Sequence, residues 1–293
     1  MVKPLFKWTG GKGRLFQKYQ DLNFFPEADR FDTFVDLFFG AGSVSLWVAE
    51  KYPDKKLIIN DKNTELMGLY TQIRDNWGEF SEHYKRVYNV FLDTPIEKRK
   101  ALYNCYKKRY AWNYKWLSEA EIAANLLVMM KINFNGIWLA YKMYGGRYST
   151  APGKIDYKES IFSMENVEQF RQVLLRATLY NRSFEDVPIP DNSWVFADPP
   201  YRDTRDMYSD TFTDELQSKL AKFIVSTNGL YCESNKETGD GFWGEHFPME
   251  NIHFTDHKYT CGYGGSINPV TEVLIKNYGN NIPQPTTLDS FFN

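Results

Sequence analysis

Two consecutive prolines, Pro199 and Pro200, stand almost directly after the apolar run Ser193-Trp194-Val195-Phe196-Ala197. Five such residues in a row read as a buried strand. Proline brings no N–H to a ladder, so a central strand cannot pass through the pair and the chain must turn there. The turn sets Asp198, the rigid Pro199 carbonyl, Pro200 and the ring of Tyr201 at the carboxyl end of a strand. Open α/β sheets bind their ligands at those ends. A surface turn that merely contains two prolines would have the same letters, so the rest of the chain has to decide.

A second strand-end turn lies near the N-terminus. Thr33 to Phe38 reads as a strand, Phe39-Gly40-Ala41-Gly42 as a tight turn, and Ser43 to Lys51 as a helix with Val44, Trp47 and Val48 on one face. Lys56 to Ile59 is the next strand, ending at Asn60-Asp61. A β-α-β unit of this kind builds parallel sheet. From about Glu65 to Met130 the signal is helical, and Asn133 to Lys154 is loop-like, with Asn135-Gly136, Gly145-Gly146 and Pro152-Gly153 as turn signals. The α/β pattern returns with a helix over Val167–Ala177, the strand before Asp198, a helix over Thr213–Val225, and strands at Gly229–Glu233 and Thr271–Ile275. The division expected is a catalytic α/β domain over 1–67 and 159–278, a mainly helical insertion over 68–158, and a tail over 279–293.

Charge is uneven. Between residues 81 and 160, Lys and Arg outnumber Asp and Glu by 14 to 7, in a chain whose net charge is −2. A basic middle on an acidic scaffold suits a phosphate-facing surface, although a solvated helical face gives the same count. The many aromatics of this window could stack on bases, but most are expected in the core. No apolar run is long enough to cross a membrane, and residues 1–7 lack the apolar centre of a signal peptide. Cys105, Cys232 and Cys261 are scattered, as reduced thiols of a cytoplasmic protein would be, and the four histidines show no metal-ligand spacing.

Three motifs carry the chemistry. Gly40-x-Gly42 allows a ligand to approach the backbone, and Asp61 at the end of the next strand can accept hydrogen bonds from ribose hydroxyls. Asp198 and the Pro199 carbonyl can accept the two hydrogens of an amino group on a flat ring, with Tyr201 stacking on that ring. Lys7-Trp8-Thr9-Gly10-Gly11-Lys12 precedes the first strand. Taken in this order, Lys-Trp-x-Gly-Gly-Lys, Phe-x-Gly-x-Gly and Asp-Pro-Pro-Tyr resemble the Dam-type (α-group, D12 class) adenine-N6 DNA methyltransferases, over roughly Lys7 to Tyr278.

The resemblance implies the seven-stranded, mostly parallel methyltransferase sheet with an inserted target-recognition domain. It also implies S-adenosylmethionine as cofactor and a flipped adenine in double-stranded DNA as substrate. Matched position by position, Trp8, Gly10, Lys12, Phe38, Gly40, Gly42, Asp61 and Asp198 are expected at the cofactor. Phe184 falls where relatives contact the cofactor adenine, or else is core. Asp198, Pro199, Pro200 and Tyr201 are expected to be catalytic. Lys7, Phe134 and Asn135 are expected at the DNA. GATC-reading relatives carry Arg three residues after Gly136, where this chain has Leu139. Lys142 or Arg147 is the expected substitute, and GATC is the leading target rather than a fixed one. A methyltransferase of the same fold acting on RNA, cytosine-N4 or protein, or a silent DNA-binding module, are the alternatives. Asp198 argues against glutamine-modifying relatives, which use Asn there, and cytosine-N4 relatives, which usually carry Ser; the intact Asp198-to-Tyr201 motif argues against a silent module.

The tail ends in Thr287-Leu288-Asp289-Ser290-Phe291-Phe292. Leu288, Phe291 and Phe292 would share one side of a helical turn. The stretch resembles the box that docks on PCNA-like sliding clamps, with Gln284 one residue out of place; a tail that folds back onto its own domain, or stays disordered, is the alternative. An otherwise monomeric enzyme is expected.

Overall fold

The computed structural model describes residues 2–112, 114–139, 145–154, 156–202, 212–258 and 269–279. Its centre is a seven-stranded sheet: β1 (Thr33–Asp36), β2 (Lys56–Asn60), β3 (Ala177–Tyr180), β4 (Ser193–Ala197), β5 (Leu230–Lys236), β6 (Ile252–Lys258) and β7 (Pro269–Lys276), in the spatial order β3-β2-β1-β4-β5-β7-β6. β1 runs parallel to β2 and to β4, β2 to β3, and β4 to β5. Only β7 is reversed, antiparallel to both β5 and β6. The chain leaves β1 towards β2 on one side and returns to β4 on the other. The crevice between the carboxyl ends of β1 and β4 is therefore the topological switch point, where such sheets bind ligands.

The central strands are wholly buried because helices cover both faces. β1 (Thr-Phe-Val-Asp) and β4 (Ser-Trp-Val-Phe-Ala) contain no exposed residue. One face packs α1 (Phe16–Asp21), α2 (Ser43–Lys51), α3 (Thr64–Asp75) and α7 (Met164–Leu175) into a large core. Trp194 anchors it, with Phe24, Phe31 and Phe34 rings 4.9–5.3 Å away. Edge-to-face packing of this kind adds to the apolar burial of each ring. The other face packs α8 (Asp214–Ser226) and α9 (Phe242–His246) around Val35, Val195, Leu220, Ile224 and Trp243.

Between β2 and β3, α4 (Trp77–Asp93), α5 (Ile96–Trp112) and α6 (Glu119–Ile132) pack beyond α3. α6 starts at a capping box, Ser118 to Glu121, and is buried on nearly every side. Tyr84, Tyr88, Tyr103, Tyr106, Tyr110 and Tyr148 are buried, so most of the aromatic excess in this region is core, as expected. This core is continuous with that of the sheet face. Position 68, where a domain boundary was drawn, lies inside α3. Among the described residues no helix is long and apolar enough to cross a membrane.

Two strands differ from the sequence reading. The helix expected over 167–177 ends at Leu175, and β3 begins at Ala177 with only Arg176 between them. No Gly or Pro marks that junction, and β3 is largely half-exposed, so no apolar run betrays it. β6 lies at the sheet edge, where a strand need not be an unbroken apolar run, so no apolar run marks it in the sequence.

Candidate active site

Lys12 joins the N-terminal motif to the turn after β4. Gly10, at φ 78°, lets the chain reverse so that the Gly11 N–H donates to the Trp8 carbonyl at 3.0 Å, and a single 3-10 turn follows over Lys12–Arg14. Lys12 is 2% exposed. Its ammonium donates to both carboxylate oxygens of Asp198 at 2.6 Å and to the Gly10 carbonyl at 2.9 Å. It also lies 4.8 Å from the Tyr201 ring centre, a cation–π distance. Burial pushes the Asp198 carboxyl up, the Lys12 charge pulls it back, and the group titrates at about 6.

The rest of the turn is held by residues distant in sequence. Gln217 of α8 donates to the Pro200 carbonyl at 2.9 Å. The Tyr201 hydroxyl donates to Glu272 of β7 at 2.7 Å. Arg202 is buried: its backbone N–H donates to Asn235, its guanidinium to Asp214 and Asp240, and it lies 3.8 Å from the Phe242 ring centre. Two carboxylates and an aromatic face compensate the burial of that charge. Sequence reasoning missed Gln217 and Glu272, because single polar residues in α8 and β7 carry no local pattern, and Arg202, because its partners Asp214, Asn235 and Asp240 are distant in sequence.

The turn after β1 faces this loop. Gly40 has φ 50°, and a Cβ there would stand 2.8 Å from the Trp8 indole nitrogen. Only glycine suits a left-handed position pressed against an indole. The Gly40 N–H donates to Asp61 at 2.8 Å, and its carbonyl accepts from the buried Tyr70 hydroxyl at 2.6 Å. The other Asp61 oxygen accepts the Asn63 N–H at 2.8 Å. Each Asp61 oxygen keeps a lone pair on a partly exposed carboxylate, which fits a ribose diol. Below the turn, Asp36 is buried against Ser45 and the Phe38 N–H, and burial pushes its carboxyl to about 7. Phe184 is core, yet its ring centre lies 5.8 Å from that of half-exposed Phe38. Trp8, Lys12, Phe38, Gly40, Asp61 and Asp198 thus surround the ends of β1, β2 and β4. They offer apolar walls and a carboxylate at the switch point, while the Gly40 backbone, expected to be open to a ligand, is already taken up by Trp8, Asp61 and Tyr70.

The N-terminal motif also meets the loop after α6. A Cβ on Gly136 (φ 71°) would stand 2.6 Å from the Lys7 carbonyl, and the Thr9 hydroxyl donates to the Gly136 carbonyl at 3.4 Å. Asn133 shapes this loop by accepting from the Gly136 N–H and donating to the Ile137 carbonyl and the Tyr148 hydroxyl. Lys7, Phe134 and Asn135 are consequently exposed together, Phe134 at 43% and Asn135 in the left-handed region at φ 54°. Trp138 bridges Trp8 and Tyr148, with ring centres 5.9 and 4.5 Å away. Arg147 lies 3.9 Å from Glu65 and over the Tyr110 ring, 26% exposed. Lys142 and the tail residues Leu288, Phe291 and Phe292 lie outside the described residues.

Curated relatives cover nearly the whole chain. A type II methyltransferase, M.MjaIII of Methanocaldococcus jannaschii, is 26% identical over 94% of this chain and 99% of its own length. M1.LlaDCHI of Lactococcus lactis subsp. cremoris is 26% identical over 95% and 96%. M.CviBI of Paramecium bursaria Chlorella virus NC1A is 23% identical over 94% and 100%. Among solved structures, the StiE O-MT segment 961-1257 aligns with 95% of this chain and 84% of its own at 11% identity and TM-score 0.36; the fold assignment rests on the sheet order instead. Residues 8–259, which take in the three motifs apart from Lys7, match one family over most of the chain. The chain belongs to the D12 class N6 adenine-specific DNA methyltransferases.

Proposed function

We propose that this enzyme transfers a methyl group from S-adenosylmethionine to N6 of an adenine flipped out of double-stranded DNA. The observation that carries the proposal is the Lys12–Asp198 pair at the end of β4, facing the Gly40 turn at the end of β1. The cofactor, when bound, supplies a methyl group already activated by a sulfonium. Trp8, Gly10, Lys12, Phe38, Gly40, Gly42 and Asp61 would hold it. Asp198 and the Pro199 carbonyl accept the two N6 hydrogens, which aims the nitrogen lone pair at the methyl. Pro200 keeps that carbonyl in place and Tyr201 stacks on the base. The contribution is mainly proximity and orientation. Asp198 is held by Lys12 and is not a strong general base; the N6 proton is lost to solvent water after transfer. Flipping the base costs a few kcal/mol.

Residues 68–158 form the target-recognition region in this reading. Lys7, Phe134 and Asn135 face the duplex, with Phe134 filling the gap left by the flipped base. GATC is the leading target, and Leu139 makes one outer base pair the place where this enzyme departs from it. The tail, through Leu288, Phe291 and Phe292, docks on a PCNA-like clamp. A pull-down comparing the full chain with one truncated after Ile282 tests that part; equal retention rejects it. Nucleoside analysis of duplex DNA incubated with labelled S-adenosylmethionine tests the reaction itself.

A further inference from the structure

Beneath the Asp198–Tyr201 turn, three hydroxyls converge on one carboxylate oxygen. Oε1 of Glu272 accepts from Tyr201 at 2.7 Å, from Tyr19 at 2.9 Å and from Ser234 at 2.9 Å. Ser234 Oγ is also 2.8 Å from the Tyr19 hydroxyl and 3.0 Å from that of Tyr201. Tyr19, Ser234 and Glu272 are completely buried, whereas Tyr201 is only partly covered. The four residues come from α1, β5, β7 and the turn after β4, so the cluster ties the turn to the rigid part of the sheet. A buried carboxylate is costly unless donors surround it, and packing alone would be served better by an apolar residue at 272. Tyr201 is the one member whose ring also reaches the site, where it meets the Lys12 ammonium.

We infer that Glu272, with Tyr19 and Ser234, is a positioning device that fixes the plane of the Tyr201 ring for the target base. Glu272 is placed at neither substrate nor cofactor; it acts through the Tyr201 hydroxyl, and its charge and the Ser234 hydroxyl also bear on Asp198. The inference rests on the reading of Tyr201 as the stacking ring. A phenylalanine at 201 would keep the stacking surface but lose its tether, so the ring would turn and the amino group would leave its line of attack. Misplacement of this order costs up to about a hundredfold in rate.

The test is steady-state methylation by the full chain of duplex genomic DNA from a methylation-free host, with kcat and KM for S-adenosylmethionine. Tyr201→Phe is expected to lower kcat about tenfold with KM within about twofold, because orientation rather than binding is lost. Glu272→Leu should lower kcat at least as much, and Glu272→Gln, which keeps an acceptor oxygen, should restore most of it. Adding Tyr201→Phe to Glu272→Leu should cost clearly less than the product of the two separate losses, since both act on the tether of the Tyr201 hydroxyl. Wild-type kcat in Tyr201→Phe, or losses that multiply in the double variant, would overturn the inference. Should Glu272→Leu fail to fold, Tyr201→Phe alone decides. Tyr201→Ala separates the two levels. If it retains turnover, the stacking reading fails; if it is inactive while Tyr201→Phe is normal, only the tether is wrong.

Discussion

The Lys12 ammonium bridges both oxygens of Asp198 at 2.6 Å, across 186 positions of sequence. This contact joins the N-terminal motif to the turn after β4, and it sets the working range of the carboxylate. Asp198 titrates at about 6 because burial raises it more than Lys12 lowers it. If the carboxylate accepts the amine hydrogens, kcat/KM must fall as pH drops through about 6. Removing the Lys12 charge leaves the burial effect unopposed and moves that limb towards neutral pH. A pH–rate profile of Lys12→Met against wild type measures this. A limb that stays put, or moves to lower pH, rejects the coupling.

Gly40 is pinned from three sides, by the Trp8 indole, the Asp61 carboxylate and the Tyr70 hydroxyl. Gly40→Ala forces a side chain into a left-handed position, at about 1–2 kcal/mol, and pushes Trp8 away. The expected result is cofactor affinity weaker by about tenfold or more, roughly 1.4 kcal/mol, with melting temperature shifted by only a few degrees. Isothermal titration with S-adenosylmethionine gives the number. Unchanged affinity would remove this turn from the cofactor site.

Specificity is the third prediction. Leu139 cannot donate to guanine, and Arg147 lies against Glu65 and Tyr110. A bidentate arginine–guanine contact contributes about 1–3 kcal/mol of discrimination, so one outer base pair should be read more weakly than, or differently from, GATC. Sequencing methylated adenines after expression in a methylation-free host decides it. Strict GATC modification that becomes relaxed in Arg147→Ala would mean that Arg147 leaves Glu65 to read the base.

What the sequence revealed follows from range. The Asp198–Tyr201 turn, the Gly40 turn and Asp61 were legible because each is a local pattern at the end of an apolar strand. β3 was not, because only Arg176 separates it from α7; nor was β6, which at the sheet edge need not be an unbroken apolar run. The meeting of Lys7 with Gly136 and of Lys12 with Asp198 depends on folding across more than a hundred positions. Motif order hinted at that proximity without fixing its geometry. Phe184 was open between core and cofactor; it is buried, with its ring against that of half-exposed Phe38. Glu272 gave no signal, since an isolated acid in a strand says nothing about the hydroxyls that other elements bring to it.

The central claim is adenine-N6 transfer at Asp198. Wild type and Asp198→Ala are incubated with duplex DNA and S-adenosylmethionine carrying a labelled methyl, and the nucleosides are separated. The account predicts label in N6-methyl-2′-deoxyadenosine for wild type. It predicts none above background for Asp198→Ala, which should still bind part of its cofactor. Label in N4-methylcytosine, or Asp198→Ala turning over at near wild-type rate, would contradict it.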